Sequence, residues 1–271
     1  MTVGEAIIDA RGWLATSKVS SARLDAELLL GHILGRDRAW LLAHDDTELT
    51  PEERQMYAII IHKRTRRIPL VHLTGKREFY GLDITITPDV LTPRVETEQM
   101  VDWAIKYAPE NSRLIDIGTG SGAIAIAIAV NRDDLKITGT EISVPALAVA
   151  QNNASDHDTP VTLIKSDLWD QVDGQFETIV TNLPYLRDDA RDELMEEVKY
   201  EPEVALFGGN DGLDLYRRFL VDLRRHLVPG GFLFTECDPW QHEPLIAIAA
   251  KYDLRPVEQG YFILGFQLTP A

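Results

Sequence analysis

From Val3 to about Arg67 the apolar residues recur at helical spacing, as Leu24, Leu28, Leu29, Ile33 and Leu34 do, with almost no β-type alternation. The pattern predicts a small helical bundle. Ser20 or Ser21 can cap its second helix, and Thr50-Pro51-Glu52-Glu53 offers a cap, a first-turn proline and an acidic first turn for a third. Between residues 70 and 87 the pattern shortens to two β-like runs, 70–73 and 82–87, which predict a hairpin. Beyond residue 92, strand-like runs at 113–117, 136–140, 161–165, 178–181 and 232–236 alternate with helical patterns at 123–130, 144–153, 213–227 and 244–251. Such alternation predicts an α/β domain with a mainly parallel sheet and helices on both faces. Residues 262–268 add one more strand, expected at an edge. The organisation is therefore a helical domain at 1–70, a β-hairpin linker at 71–92 and an α/β domain at 93–271.

Charge narrows what such a molecule binds. With 43 acidic and 27 basic residues the formal net charge is −16, and a surface that negative repels phosphate backbones unless cations are locally concentrated. The basic run His62-Lys63-Arg64-Thr65-Arg66-Arg67 reads first as a solvated helix face, although ribosomal RNA or an acidic protein surface could also meet it. Nucleic acid is not an expected ligand. One cysteine, Cys237, cannot form an internal disulfide, and the opening Met-Thr-Val-Gly-Glu has no basic segment followed by an apolar one. Apolar stretches such as 123–130 fall far short of the roughly 20 residues that span a bilayer. We expect a cytoplasmic protein with no membrane span and no metal site.

Chemistry concentrates at the ends of the predicted strands. After the first parallel strand stands Asp116-Ile117-Gly118-Thr119-Gly120-Ser121-Gly122, leading directly into a helix. Glycines let the backbone approach a ligand closely, and in an open parallel sheet ligands collect at the carboxyl ends of strands. Gly118, Gly120 and Ala123 also satisfy the dinucleotide fingerprint, so the loop by itself leaves a nicotinamide cofactor and S-adenosylmethionine both open. Asp116, two residues ahead of the first glycine, favours a ligand carrying an ammonium over a pyrophosphate. Glu141, after the second strand, suits the ribose hydroxyls of either cofactor, and Asp167, after the third, can hold an adenine amino group or remain a solvated loop aspartate.

The fourth strand runs out into Asn182-Leu183-Pro184-Tyr185. An amide nitrogen is a weak nucleophile because its lone pair is delocalised, so catalysis on it is mostly orientation. If the Asn182 side-chain oxygen and the Leu183 carbonyl each accept one N–H, the lone pair is aimed at an electrophilic methyl and the developing positive charge is offset. Tyr185 can form an aromatic wall against a planar amide or base.

These residues resemble the release factor glutamine methyltransferase family, often called HemK or PrmC. Leu24-Asp25-Ala26-Glu27-Leu28-Leu29 is similar to the family's helical signature, as are Pro69-Leu70-Val71-His72-Leu73-Thr74-Gly75 and Glu78-Phe79-Tyr80-Gly81-Leu82. Thr92-Pro93-Arg94-Val95-Glu96-Thr97-Glu98 and Glu201-Pro202, followed by Ala205-Leu206-Phe207-Gly208-Gly209-Asn210-Asp211-Gly212-Leu213, extend the likeness over nearly the whole chain. The resemblance implies a class I, Rossmann-like, seven-stranded methyltransferase fold preceded by a helical domain that helps to recognise the substrate. It implies S-adenosylmethionine as cofactor, with Asp116, Gly118, Thr119, Gly120 and Gly122 at its methionine half, Glu141 at the ribose, Asp167 and Leu168 at the adenine, and Asn182 beside it. The implied acceptor, held by Asn182, Leu183, Pro184 and Tyr185, is the glutamine of the Gly-Gly-Gln loop of peptide chain release factors; the enzyme is expected to act as a monomer.

The chain departs from the family where Val95 replaces its second proline, where the C-terminal strand lacks the usual arginine-containing ending, and at three further places. Leu183 stands where the family usually has a first proline, Glu141 where it has aspartate, and Glu236-Cys237-Asp238 where it has Glu-Ile-Gly. Other readings of the same residues are a ribosomal-protein glutamine methyltransferase, a DNA adenine N6-methyltransferase, and a binding protein that keeps the fold without turnover. A DNA enzyme has to flip a base and grip phosphates, which the charge pattern does not favour.

Overall fold

The computed structural model of the chain describes residues 1–270. Helical periodicity at the start becomes α1 (Val3–Thr16), α2 (Ala22–Leu34), α3 (Arg38–Ala43), α4 (Pro51–Thr65) and α5 (Leu70–Thr74). Thr2 and Thr50 open α1 and α4 with reciprocal capping boxes, each hydroxyl accepting from a backbone N–H three residues on while that residue's glutamate accepts the threonine N–H. Ser21 occupies the cap position of α2 but its side chain makes no capping bond. The helix that begins after Thr50 is the fourth rather than the third, because Asp37 starts a short extra one by accepting from Trp40 N at 2.7 Å.

Residues 70–73 are helical, not a strand. Leu70 and Leu73, one helical turn apart, both pack on the apolar cluster that contains Leu14, Leu29, Leu30 and Ile61; a four-residue apolar run does not by itself distinguish the two states. Met1–Lys76 together with Met195–Tyr200 forms one compact unit. The later segment is held by charge. Arg64, only 5% exposed, donates to Asp25 at 2.7 Å and to Glu197 at 2.9 Å, and Arg67 forks onto both oxygens of Glu197 at 2.7 and 2.6 Å. Burial works against ionising Glu197, but the Arg67 and Arg64 guanidiniums hold its carboxyl down at about 2. Two arginines of the basic run are therefore engaged within the unit, and that run is not simply a solvated face.

The other unit, Arg77–Leu194 with Glu201–Ala271, carries the sheet. A two-stranded hairpin, β1 (Lys76–Phe79) and β2 (Leu82–Thr85), leads into α6 (Glu98–Tyr107). Asn153 ties the hairpin down, accepting from Thr85 N at 2.9 Å and donating to Thr85 O at 3.0 Å and Ser121 O at 2.9 Å. Then follow β3 (Arg113–Ile117), α7 (Ala123–Asn131), β4 (Lys136–Glu141), α8 (Val144–Asp156), β5 (Thr162–Lys165), β6 (Phe176–Thr181), α9 (Asp214–His226), β7 (Leu227–Glu236), α10 (His242–Ala249), β8 (Leu254–Gln259) and β9 (Ile263–Leu268). The seven-stranded order is β5-β4-β3-β6-β7-β9-β8, parallel through β7, with β9 antiparallel to both its neighbours.

The strand at 263–268 is not at the edge, as expected, but second from it. Ile263, Leu264 and Phe266 are all buried, which an internal position provides, whereas β8 is exposed along Arg255, Pro256 and Val257 and carries a proline that a central strand would not tolerate. One face of the sheet presents Ile115, Ile179 and Leu233 to Phe219, Leu220 and Leu245 of α9 and α10. The alternate residues Leu114 and Asp116 point the other way. The order reverses at β3, so the carboxyl ends of β3, β4, β6 and β7 frame one crevice. Among the described residues no helix is long and apolar enough to cross a membrane, and no cluster of His, Cys, Asp or Glu suits a metal ion.

Candidate active site

A cavity of about 510 Å³ opens at those strand ends, within the usual range for a small-molecule site. Gly118, Gly120 and Gly122 all have positive φ, at 76°, 56° and 82°, a conformation that carries a steric cost for residues with a Cβ. Gly118 N and Thr119 N both donate to Thr140 O, at 2.9 and 2.8 Å, which ties the loop to β4. A side chain at Gly120 would meet nothing within 4 Å, so the backbone there is open to a ligand; at Gly122 a Cβ would press on Ile126 at 3.0 Å and Ala150 at 3.3 Å. The last glycine thus serves helix packing, and Gly122 does not line the cavity, whereas Gly118, Thr119 and Gly120 do.

Asp116 lies behind the loop, fully buried and off the cavity wall. Thr119 Oγ1 donates to its Oδ2 at 2.6 Å, and its Oδ1 has no hydrogen-bond partner. Burial pushes this carboxyl up to about 7. Glu141 does line the cavity. It accepts from Gly120 N at 3.0 Å and Ser143 N at 2.8 Å, one bond on each oxygen, which leaves further lone pairs for a ligand. Asp167 and Leu168 line the same wall, and Asp167 accepts from Arg218 at 2.8 Å, a partner that sequence reasoning did not supply.

At the end of the neighbouring strand β6, Asn182, Leu183 and Pro184 line the cavity, but Tyr185 does not. Its hydroxyl donates to Glu236 Oε1 at 3.1 Å, and burial together with the Glu236 charge raises its pKa. Leu183, 4% exposed, belongs to the apolar core and would sit 3.6 Å from a Cβ at Gly118, so it joins the two loops. Residues 206–212 pack beneath: Leu186 N donates to Leu206 O at 2.9 Å and Gly208 N returns to Leu186 O at 2.8 Å. Gln241, fully buried, donates from Nε2 to Tyr185 O at 2.9 Å and Asp211 O at 3.0 Å while its Oε1 accepts from Asp238 N. Asp238 thereby caps the turn that positions Gln241, and the buried Cys237, its thiol pushed up to about 12 by burial, is a core residue.

The segment before α6 was singled out only by family likeness and given no site role, yet Val90, Leu91, Pro93 and Thr97 wall the cavity. Arg94 pairs with the buried Glu201 at 2.6 Å, joining that wall to the 201–209 segment. Glu236 had one available signal: it ends the strand next to β6, at the carboxyl edge where ligands gather.

Residues 5–75 match the family model of the PrmC N-terminal domain, and residues 101–202 that of the methyltransferase small domain. The release factor glutamine methyltransferase of Geobacter sulfurreducens is 39% identical over 252 residues, spanning 92% of this chain and 89% of that protein. The enzyme of the same name from Coxiella burnetii is 36% identical over 254 residues, spanning 92% and 91%. A solved methyltransferase structure from Pyrococcus furiosus shares the fold with a TM-score of 0.55 at 20% identity, over 77% of this chain and 98% of that one.

Proposed function

The chain belongs to the release factor glutamine methyltransferase family, and from that membership we propose that the cavity is its active site, with the glycine loop on the cofactor side and Asn182-Leu183-Pro184-Tyr185 on the substrate side. It is an S-adenosylmethionine-dependent enzyme that methylates the side-chain amide nitrogen of a glutamine in release factors. The cofactor, when bound, supplies a methyl group on a sulfonium, an electrophile strong enough for a weak nucleophile.

The residues present suit such a ligand. Gly118, Thr119 and Gly120 offer close backbone approach, Glu141 has spare lone pairs for ribose hydroxyls, and Asp167 with Leu168 stands where an adenine would lie. Asp116 acts from behind the loop, where its Oδ2 accepts from Thr119 Oγ1 and holds that residue in place, and Gly122 remains as the residue that lets α7 begin there.

For the glutamine, the Asn182 side-chain oxygen and the Leu183 carbonyl accept the two amide N–H groups, so that the nitrogen lone pair faces the cofactor side. Pro184 walls the pocket and Tyr185 braces it from behind through Glu236. The reading extends to the glutamine of the Gly-Gly-Gln loop, to residues 1–70 as a recognition domain, and to a cytoplasmic monomer that works without nucleic acid. The observation that supports it most is that Asn182 and the glycine loop line one cavity at adjacent strand ends.

The test follows methyl incorporation into a release factor, beside a control whose Gly-Gly-Gln glutamine is replaced. We expect the intact substrate alone to be labelled. Asn182→Ala should lower turnover by on the order of 100-fold while leaving cofactor affinity nearly unchanged; equal labelling of the control, or full turnover by the variant, would sink the assignment.

A further inference from the structure

Glu236 closes β7 beside the strand that delivers Asn182, the two strands pairing up to Thr181 opposite Thr235. Only 2% of it is exposed. Thr97 Oγ1 donates to its Oε2 at 2.6 Å, the Tyr185 hydroxyl donates to its Oε1 at 3.1 Å, and Asn182, one residue beyond Thr181 as Glu236 is one beyond Thr235, leaves the neighbouring strand end. The two partners come from segments far apart in the chain, and both are hydroxyls with a proton to give. The backbone beside it is held too, since the Tyr216 hydroxyl donates to Glu236 O and lies 3.4 Å from Leu183 O.

An asparagine side chain has two faces of nearly equal shape and opposite hydrogen-bonding character, and only its surroundings decide which group points where. An ionised carboxylate accepts and cannot donate. An Asn182 that meets this carboxylate does so through its NH2, which leaves its Oδ1 as the group facing the cavity. Burial raises the Glu236 carboxyl above its usual range, and the hydrogen bonds it accepts offset only part of that rise.

We propose that Glu236 is a positioning residue of the methyl transfer: it fixes the orientation of Asn182 so that a carbonyl oxygen, and not an NH2, meets the substrate amide. Its fixed negative charge, one side chain behind that oxygen, also polarises the Asn182 amide in the sense that strengthens Oδ1 as an acceptor. The inference rests on the role given to Asn182 above and adds the group on which that role depends.

The experiment measures kcat and KM for a release factor with the wild type, Asn182→Ala, Glu236→Gln, the Asn182→Ala/Glu236→Gln pair, Asn182→Asp and the Asn182→Asp/Glu236→Gln pair, each checked for cofactor affinity by calorimetry. Glu236→Gln replaces the acceptor by a group that can donate to Asn182, so kcat should fall about 30-fold with cofactor affinity within roughly twofold of wild type. Because it acts through Asn182, adding it to Asn182→Ala should cost no more than about a further twofold. Asn182→Asp faces one carboxylate with another and should be slower than Asn182→Ala. Adding Glu236→Gln to it restores a donor opposite an acceptor and should raise kcat by about tenfold or more, a gain that loss of folding cannot imitate.

Full activity in Glu236→Gln, losses that multiply in the Asn182→Ala pair, or no recovery in the Asn182→Asp pair would each overturn the proposal while leaving the Asn182 reading intact. A wild type that labels no glutamine, or an Asn182→Ala variant as fast as wild type, would overturn both.

Discussion

Two loops line the cavity from adjacent strand ends, and they are held by different means. The glycine loop is closed from within its own neighbourhood: Thr119 on Asp116, Gly118 and Thr119 on Thr140, Gly120 on Glu141, all between residues 116 and 141. The Asn182 loop is assembled from afar. Tyr185 O takes its bond from Gln241, the Tyr185 hydroxyl gives to Glu236, Leu186 pairs with Leu206 and Gly208, and Leu183 fills space against Gly118. The glycine loop is thus a local motif that one βαβ unit can carry, whereas the Asn182 loop depends on the rest of the domain being in place. A change in residues 200–241 should therefore injure turnover before it injures cofactor binding.

The largest effect expected of this contrast is at Gly212, which has φ +72° and whose missing Cβ would overlap Tyr185 O and the Gln241 amide. Gly212→Ala should displace the Asn182 loop and reduce kcat by about 100-fold, since misplacement by an ångström can cost that much. Cofactor affinity, read by calorimetry, should stay within roughly threefold of wild type on the same argument. Parallel loss of both would show that the two walls are not separable.

Glu141→Ala probes the other side. Removing its charged acceptor should weaken cofactor binding by roughly 1–3 kcal/mol, while kcat at saturating cofactor changes by less than about fivefold. A kcat loss with unchanged affinity would reverse the roles of the two walls. The smallest effect belongs to Leu183→Pro. It keeps the backbone carbonyl and gives up part of a buried side chain, so turnover should remain within roughly tenfold of wild type. A greater fall would mean that the Leu183 packing against the glycine loop sets the position of Asn182.

Much of the glycine loop was legible because strand, turn and helix lie within thirty or so residues and each has a local signal. Asn182 was legible for the same reason, as the end of an apolar strand followed by a proline. Tyr185 shows where such reasoning stops. Its ring was expected against the substrate, yet a carboxylate 51 positions away takes its hydroxyl and turns it aside. Residues 205–213 stood out only through family likeness, and the reason for their glycines, a close approach to the Asn182 loop, involves backbone that no local pattern mentions.

The sequence by itself determined the succession of helical and α/β parts, the parallel core of the sheet, the glycine loop after β3 and the Asn182 strand end. Each depends on spacing between near neighbours, and that spacing survives without the rest of the molecule. Tertiary structure alone decided that residues 70–73 wind into a helix, that residues 263–268 take an inner place behind a polar, proline-bearing β8, and that Met195–Tyr200 joins the helical unit. It also decided that Glu236 backs Asn182. With 43 acidic and 27 basic residues in the chain, composition cannot say which carboxylate meets which donor. That choice was made only when folding removed water from Glu236 and most of it from Glu197 and left particular arginines and hydroxyls within reach.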